Sequence, residues 1–398
     1  MKKILAVITE TYPAPTETFI YRDLSELQKR GTDMVLLHLR SGTGTGPDGM
    51  DARRIPSLFN IFLLPALVLF IWKVRKSFFS LIRKTGRGPE NGLKRLYHLL
   101  KAAHAARLLY PKRERYHIHA AFASLPAFYA RTASALLNIP YTVSAHARDV
   151  LVETGGLADN LNCAELIIFC TEAVMKETCS RYKGISEKSA CIYHGLRIRD
   201  CGDREFTGSG LRVCAAGRFV EKKGFEHLFR ACSVMKKNGA DILCTIAGHG
   251  PLLKRYTELV SDLDLADSVE FPGFLDCREL KALWHKSDVI CVPSVRAQDG
   301  DMDGIPNVIL EAGMHRVPAV VSDLPGICEA VEDGYNGFCV QAGSAESLAK
   351  GLEHFFSLNA EEKQAMGEHA RKNVCDRFDI SKTIRQWPEV FKSRGIEI

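Results

Sequence analysis

The sequence predicts an α/β protein made of two doubly wound, Rossmann-like domains. Three observations carry this expectation. With 398 residues, the chain is longer than a single core usually organises, so two domains are expected. Short apolar runs alternate with longer stretches of helical spacing through both halves, as in parallel sheets built from βαβ units. Between residues 200 and 210 stands DCGDREFTGSG, polar and glycine-rich as linkers are.

The elements follow in order. MKKILAVITE reads as a first strand rather than a leader, because its apolar run of about six residues is too short for a signal core. Then come the loop YPAPTETFI, the helix FIYRDLSELQKRG closing at Gly31, and the strand DMVLLHL. Residues 57–72 (SLFNIFLLPALVLFIW) carry no charge and lead into KVRKSFFSLIRK. A spanning helix needs about 20 apolar residues, and Pro65 sits in mid-run. The favoured reading is an amphipathic, interfacial segment that sets Lys73, Arg75, Lys76, Arg83 and Lys84 near lipid phosphates. A buried helix pair is the alternative, and a membrane span is disfavoured. GRGPENG (86–92) marks a loop. Strands follow at YHIHAAF, YTVSAH, ELIIFCT and ACIYHG, with a helix over 124–138. The second half repeats the alternation: RVCAAGRF, a helix in KKGFEHLFRACSVMKK, ILCTIAG, PLLKRYTELVSDLD, VEFPGF, RELKALWHKS, DVICVPS, PAVVSD and GFCV. The stretch from Ala360 to Ser393 reads as helices.

Composition narrows the partners. The chain is 46% hydrophobic and 25% charged, which is the balance of a soluble globular protein. A net charge of +6 suits an anionic ligand or an anionic membrane surface. No nucleic-acid motif is found. All 13 cysteines lie from Cys163 onward without C-x-x-C pairing or framework spacing, which points to reduced thiols in the cytoplasm. No spacing suggests a zinc site.

The chemistry concentrates in SDVICVPSVRAQDGDMDGIPNVILEAGMHRVPAVVSDLPGICEAVEDGYNG. Asp303 and Glu311 bracket Gly304, Ile305, Pro306 and Asn307 with seven residues between them. A strand, a glycine loop, a helix start and a second strand form an anion site at the carboxyl end of a parallel sheet. Pro306 suits the first helical turn. Asp303 in the loop can reach a sugar hydroxyl, and Glu311 a ribose hydroxyl. In AAGRFVEKKGFEHLFRA, Arg218 and Lys223 stand five residues apart at a helix start, a fork and a point charge for a diphosphate. Lys222 is expected to face solvent. AGHGPLL offers Gly248 and Gly250, which let a backbone approach closely.

These motifs, in this order, resemble retaining glycosyltransferases of family 4 with the GT-B fold. The likeness is strongest to the bacterial subgroup that builds exopolysaccharide, lipopolysaccharide and colanic acid. That family usually has Glu where Asp303 stands. The resemblance implies two Rossmann-like domains facing across a cleft, with the C-terminal helix crossing back to the first. The boundaries read as 1–205 for an acceptor-binding domain, 206–375 for a nucleotide-sugar-binding domain and 376–398 for the returning helix. It implies a diphosphate role for Arg218 and Lys223, and a nucleotide role for Gly250 and for Phe274 and Leu275 in PGFL. Glu17 and Thr18 would face the cleft, and His146 in SAHARD would face the donor sugar. Asp303 and Glu311 join His146 as the catalytic set. His119 resembles the subgroup pattern, with Ala121 where a second histidine often stands, and YHGL (193–196) resembles a hinge turn.

The implied function is transfer of a hexose-type sugar from a nucleotide-diphosphate sugar to a saccharide or lipid-linked acceptor, with retention. The nucleotide sugar is a substrate, and no cofactor or metal is implied. The implied place is cytoplasmic, with peripheral attachment to the inner membrane face as an option. A GT-B sugar-nucleotide epimerase and a non-catalytic sugar-nucleotide-binding protein are the rivals. A nicotinamide dehydrogenase is rejected, because TETYPAPTET stands where G-x-G-x-x-G would follow the first strand.

Overall fold

The structure, a computed structural model, describes residues 2–14, 17–43, 46, 49–58, 60–84, 92–152, 155–199, 201–202 and 210–398. The side chains of Ile61, Arg83 and Lys84 are outside that description, as are residues 86–91 of the expected loop and 203–209 of the expected linker. The chain divides into two compact units. One comprises Met1–Gly195 with Ile380–Ile398, the other Leu196–Asp379.

The first unit holds β1 (Ile4–Tyr12), β2 (Met34–Ser41), β3 (Ala52–Arg54), β4 (Tyr116–Ala120), β5 (Tyr141–Ala145), β6 (Leu166–Phe169) and β7 (Ser189–Cys191). They form one sheet in the order β3-β2-β1-β4-β5-β6-β7, with every pairing parallel. Leu5, Ala6, Val7 and Ile8 in β1 are all buried. A strand covered on both faces reads as a continuous apolar run, which is why it was visible in the sequence. The C-terminal segment belongs here. Trp387 and Phe391 are buried and meet the rings of His119 and His117 edge-on, while Lys3 N donates to Glu397 O at 2.7 Å.

The second unit holds β8 (Leu211–Ala216), β9 (Ile242–Ala247), β10 (Val269–Gly273), β11 (Val289–Val292), β12 (Ala319–Ser322) and β13 (Gly337–Val340). Their order is β10-β9-β8-β11-β12-β13, all parallel. Both sheets therefore reverse direction beside their first strand, at β1/β4 and at β8/β11. In such sheets ligands bind outside the carboxyl ends of the strands at that reversal. The helix Ala360–Arg377 opens with Asn359 capping Glu362 N and Glu362 answering at Asn359 N, a reciprocal cap.

The uncharged run forms two helices, Leu64–Lys73 and Arg75–Lys84, broken at Val74. Among the described side chains of these helices only a narrow stripe, Leu67, Phe70 and Phe78, is buried; Phe62 is 87% exposed, Trp72 65% and Phe79 57%. The buried-pair alternative holds for that stripe alone. Among the described residues, no helix is long and apolar enough to cross a membrane.

Candidate functional site

In the second unit the site grows from one buried ring. After β8 the chain runs Gly217, Arg218, Phe219, Val220, then a 3-10 turn Glu221–Lys223 and the helix Phe225–Lys237. Phe219 is fully buried among Phe225, Tyr256 and Phe271, with ring centroids 5.6–5.9 Å away. That anchor throws its neighbour Arg218 outward. Arg218 is exposed. Gly224 turns the chain with φ +61°, and a Cβ there would fall 2.0 Å from the Pro293 carbonyl oxygen. Val295 N donates to Lys222 O at 2.9 Å. The turn is thus locked to the loop that follows β11, across the sheet's reversal.

The lock delivers two lysines to two carboxylates. Lys223 Nζ donates to Asp303 Oδ2 at 2.8 Å, and Ser294 Oγ donates to the same oxygen at 2.7 Å. Lys222 Nζ lies 3.1 Å from Asp301 Oδ1 and 3.4 Å from Asp303 Oδ1. Lys222 does not face solvent, as the sequence reading had it; it closes this cluster, because the 3-10 turn points both lysines the same way. Burial pushes the Asp303 carboxyl up, but the ammonium groups of Lys223 and Lys222 and the hydrogen bonds from Lys223 and Ser294 outweigh it. The group is held below its usual range. Both Asp303 oxygens are engaged, so it reaches a sugar hydroxyl only by trading a partner.

Gly304 and Ile305 lead to Pro306, which caps the helix in extended geometry (φ −63°, ψ 128°), so the helix begins one residue later, at Asn307. No side chain caps this start. Glu311 is half-buried in the same helix. Gly250 earns its place by packing: a Cβ there would lie 2.5 Å from Phe219 O, and one at Gly248 would lie 1.9 Å from Gly217 O. The loops after β8, β9 and β10 are stitched by Gly217 N to Ala247 O, Phe219 N to His249 O and Gly248 N to Gly273 O at 2.8–2.9 Å. Phe274 follows, 79% exposed, and the half-buried Leu275 lines a groove with Pro272.

In the first unit, Glu17 stands at the cap of the helix Thr18–Lys29, and Thr18 is exposed. Tyr21 Oη is 3.4 Å from Glu17 Oε2 and donates to Thr11 O at 2.7 Å. Burial raises the Glu17 carboxyl to about 7, against the lowering effect of Tyr21 and His146. His146 follows β5. Its Nε2 is 3.1 Å from His194 Nε2, and its Nδ1 is 3.5 Å from Asp149 Oδ2. His194 Nδ1 meets Asp23 Oδ2 at 2.6 Å. The two imidazoles lie parallel at 5.2 Å, flanked by Phe19 and Phe122. Among the described residues, His146, Cys170 and His194 are the side chains grouped closely enough to hold a metal ion. His119 is fully buried between Thr142 Oγ1 (2.8 Å) and Ser144 Oγ (3.0 Å). Burial pushes its imidazole down to about 3, so it is a neutral structural partner.

Sequence reading missed Lys222 and Ser294 as partners of Asp303, Asp301 as the second partner of Lys222, His194 as the partner of His146, Asp23 as the partner of His194, and Cys170 beside the two histidines. Ser294 and Asp301 share the loop of Asp303, but Lys222 reaches them from the turn after β8, while Asp23 stands on the first helix and Cys170 and His194 follow β6 and β7. Only the topology brings them together.

Comparison with known proteins fits this geometry. Residues 205–373 match the family described as Glycosyl transferases group 1. The putative colanic acid biosynthesis glycosyltransferase WcaL of Salmonella typhimurium is 34% identical over 179 residues, 45% of this chain and 44% of that protein. The amylovoran biosynthesis glycosyltransferase AmsK of Erwinia amylovora is 36% identical over 139 residues, 35% of this chain and 34% of that one. The chain thus spans less than half the length of these curated relatives. HepE of Anabaena, solved in complex with UDP, superposes with a TM-score of 0.69 at 17% identity, over 98% of this chain and 100% of that one. The family match falls within the second unit, and the fold, two Rossmann-like units on parallel sheets, is that of the GT-B glycosyltransferases among the structural neighbours.

Proposed function

We propose that this protein is a retaining family 4 glycosyltransferase. It moves a hexose-type sugar from a nucleotide-diphosphate sugar to a saccharide or lipid-linked acceptor in exopolysaccharide biosynthesis. The observation that carries the reading is Lys223 held 2.8 Å from Asp303 at the reversal of the second sheet. An ammonium has three donors, so Lys223 keeps its bond to Asp303 while turning the others to a phosphate. Asp303 and Lys222 thereby fix where that charge stands. Arg218 adds a bidentate fork, and the uncapped start at Pro306–Asn307 adds backbone N–H groups. Together they neutralise the leaving diphosphate without a metal ion, an electrostatic contribution made where charge develops. Glu311 takes the ribose, and Phe274, Leu275 and Gly250 frame the base. The first unit takes the acceptor, with Glu17, Thr18 and His146 on its side. Retention follows from attack on the face the diphosphate leaves, with the departing phosphate accepting the acceptor's proton. HepE has also been solved with UDP-glucose, which favours a UDP-sugar donor here.

Melting temperature measured against UDP, GDP, ADP and CMP sugars tests this, because binding to the native state raises stability by mass action. A rise with one UDP sugar, lost in Arg218→Ala and retained when Mg2+ and Mn2+ are omitted, is expected. No rise with any of them overturns the reading. Turnover of the sugar nucleotide to an isomer without acceptor would instead identify an epimerase.

A further inference from the structure

We propose that His146, Cys170 and His194 bind a zinc-type divalent transition-metal ion in the first unit. Their ligand atoms all lie within 4.8 Å of one another. Each stands at or just past the carboxyl end of a strand, His146 after β5, Cys170 after β6 and His194 after β7, and the three strands are neighbours in the sheet. Two imidazoles and a thiolate suit zinc and its neighbours rather than magnesium or calcium.

The hydrogen bonding points the same way. His194 Nδ1–H donates to Asp23 at 2.6 Å, which leaves its Nε2 as a bare acceptor facing His146 Nε2 at 3.1 Å. With no added positive charge, either tautomer of His146 meets a conflict. A proton on Nδ1 leaves two bare Nε2 atoms opposed. A proton on Nε2 leaves a bare Nδ1 facing the Asp149 carboxylate at 3.5 Å. A cation between the two Nε2 atoms removes the opposition of two bare nitrogens, with His194 Nδ1–H donating to Asp23 and His146 Nδ1, which has no hydrogen-bond partner, 3.5 Å from the Asp149 carboxylate. Metal-bound imidazoles are oriented in that way. The 3.1 Å separation approaches the nitrogen–nitrogen edge of a zinc tetrahedron, about 3.3 Å for Zn–N bonds of about 2.0–2.1 Å. Cys170 becomes the third ligand as its thiol proton passes to solvent. Water or a substrate hydroxyl fills the fourth position, beside a small cavity lined in part by Asp23, His119 and Ser144.

The test uses the full chain, stripped with EDTA, desalted, and titrated with Zn2+ alone and with Co2+ alone. One equivalent per chain, a thiolate-to-cobalt charge-transfer band and a higher melting temperature with Zn2+ are expected. Cys170→Ser, close in size, abolishes the band and weakens binding at least about tenfold. Cys163→Ser, at an exposed thiol, changes neither. Asp23→Asn weakens binding about 10- to 100-fold while all ligands remain. No binding by the wild type, or binding that survives both Cys170→Ser and His194→Gln, overturns the proposal. Binding that follows Cys163 marks adventitious thiol chemistry and also overturns it. Metal content and spectrum are read without sugar transfer, so this inference and the transferase reading fail separately.

Discussion

Lys223 and Lys222 are neighbours with different duties. Lys223 shares Asp303 Oδ2 with Ser294, while Lys222 divides itself between Asp301 and Asp303. Under the proposed function, Lys223 is the one of the two that takes the leaving diphosphate. Lys223→Ala should therefore cost about 100- to 1000-fold in kcat, the usual loss for one preorganised electrostatic donor. Lys222→Ala should cost less, because Asp303 keeps Lys223. Equal turnover in Lys223→Ala and wild type would reject the assignment. Glu17 offers a second test, through pH. Its carboxyl is raised from 4.5 to about 7, first by burial. Below about 4.5 it is protonated in both folded and unfolded chains and costs nothing. As pH rises towards about 7 the unfolded chain releases its proton before the folded one, so stability falls, and the full penalty stands above that. Glu17→Gln should thus melt with wild type in acid and above it at about pH 8, a difference that scanning calorimetry across pH would read. A difference that stays flat with pH would mean Glu17 does not titrate in this way.

The turn after β8 shows how an element serves the site. Gly224 adopts φ +61° with the Pro293 carbonyl 2.0 Å from where a Cβ would stand. Left-handed geometry costs a non-glycine residue about 1–2 kcal/mol, and here the backbone must also yield. Gly224→Ala should lower stability by at least that amount, at about 2–4 °C of melting temperature per kcal/mol. It should also weaken nucleotide-sugar binding, because the turn that aims Lys223 is displaced. Stability and binding both at wild-type level would show that the lock does not matter. The same element marks what the sequence could and could not show. Its strand, its glycine and its lysines were readable, because an apolar strand buried on both faces leaves a continuous run and a glycine in a turn is unmistakable. The direction of Lys222 was not readable, because it depends on the 3-10 turn and on Asp301 reaching it from 79 residues away. β3, three residues with two exposed arginines, left no apolar run to see. The pairing of His146 with His194 likewise needed the strand order, which spacing does not encode.

For the whole molecule, the net charge of +6 and the exposed apolar helices of the first unit belong together. Phe62, Val68, Leu69, Trp72, Phe79 and Ile82 are exposed, while Leu67, Phe70 and Phe78 hold their helices to the core. The Arg75 guanidinium lies 5.0 Å from the Trp72 ring, a cation beside an aromatic as at a membrane interface. Lys73 and Lys76 are exposed nearby. Each cation near an anionic surface contributes about 1 kcal/mol, and half-inserted rings add apolar burial at about 25 cal/mol per Å². An acceptor carried on a lipid would be met at that surface. The chain should sediment with vesicles containing anionic lipid and much less with neutral ones. Binding should fall when salt rises from about 0.1 M to about 1 M, as the screening length shrinks from about 10 Å to about 3 Å. Trp72→Ser with Phe79→Ser should cut binding at least about tenfold, since about 1.4 kcal/mol of lost burial suffices. These two side chains are exposed, so the double variant should fold and keep its nucleotide-sugar affinity. Vesicle binding equal to wild type in the double variant, or none to either vesicle by the wild type, would remove the membrane from the account and leave these helices facing water.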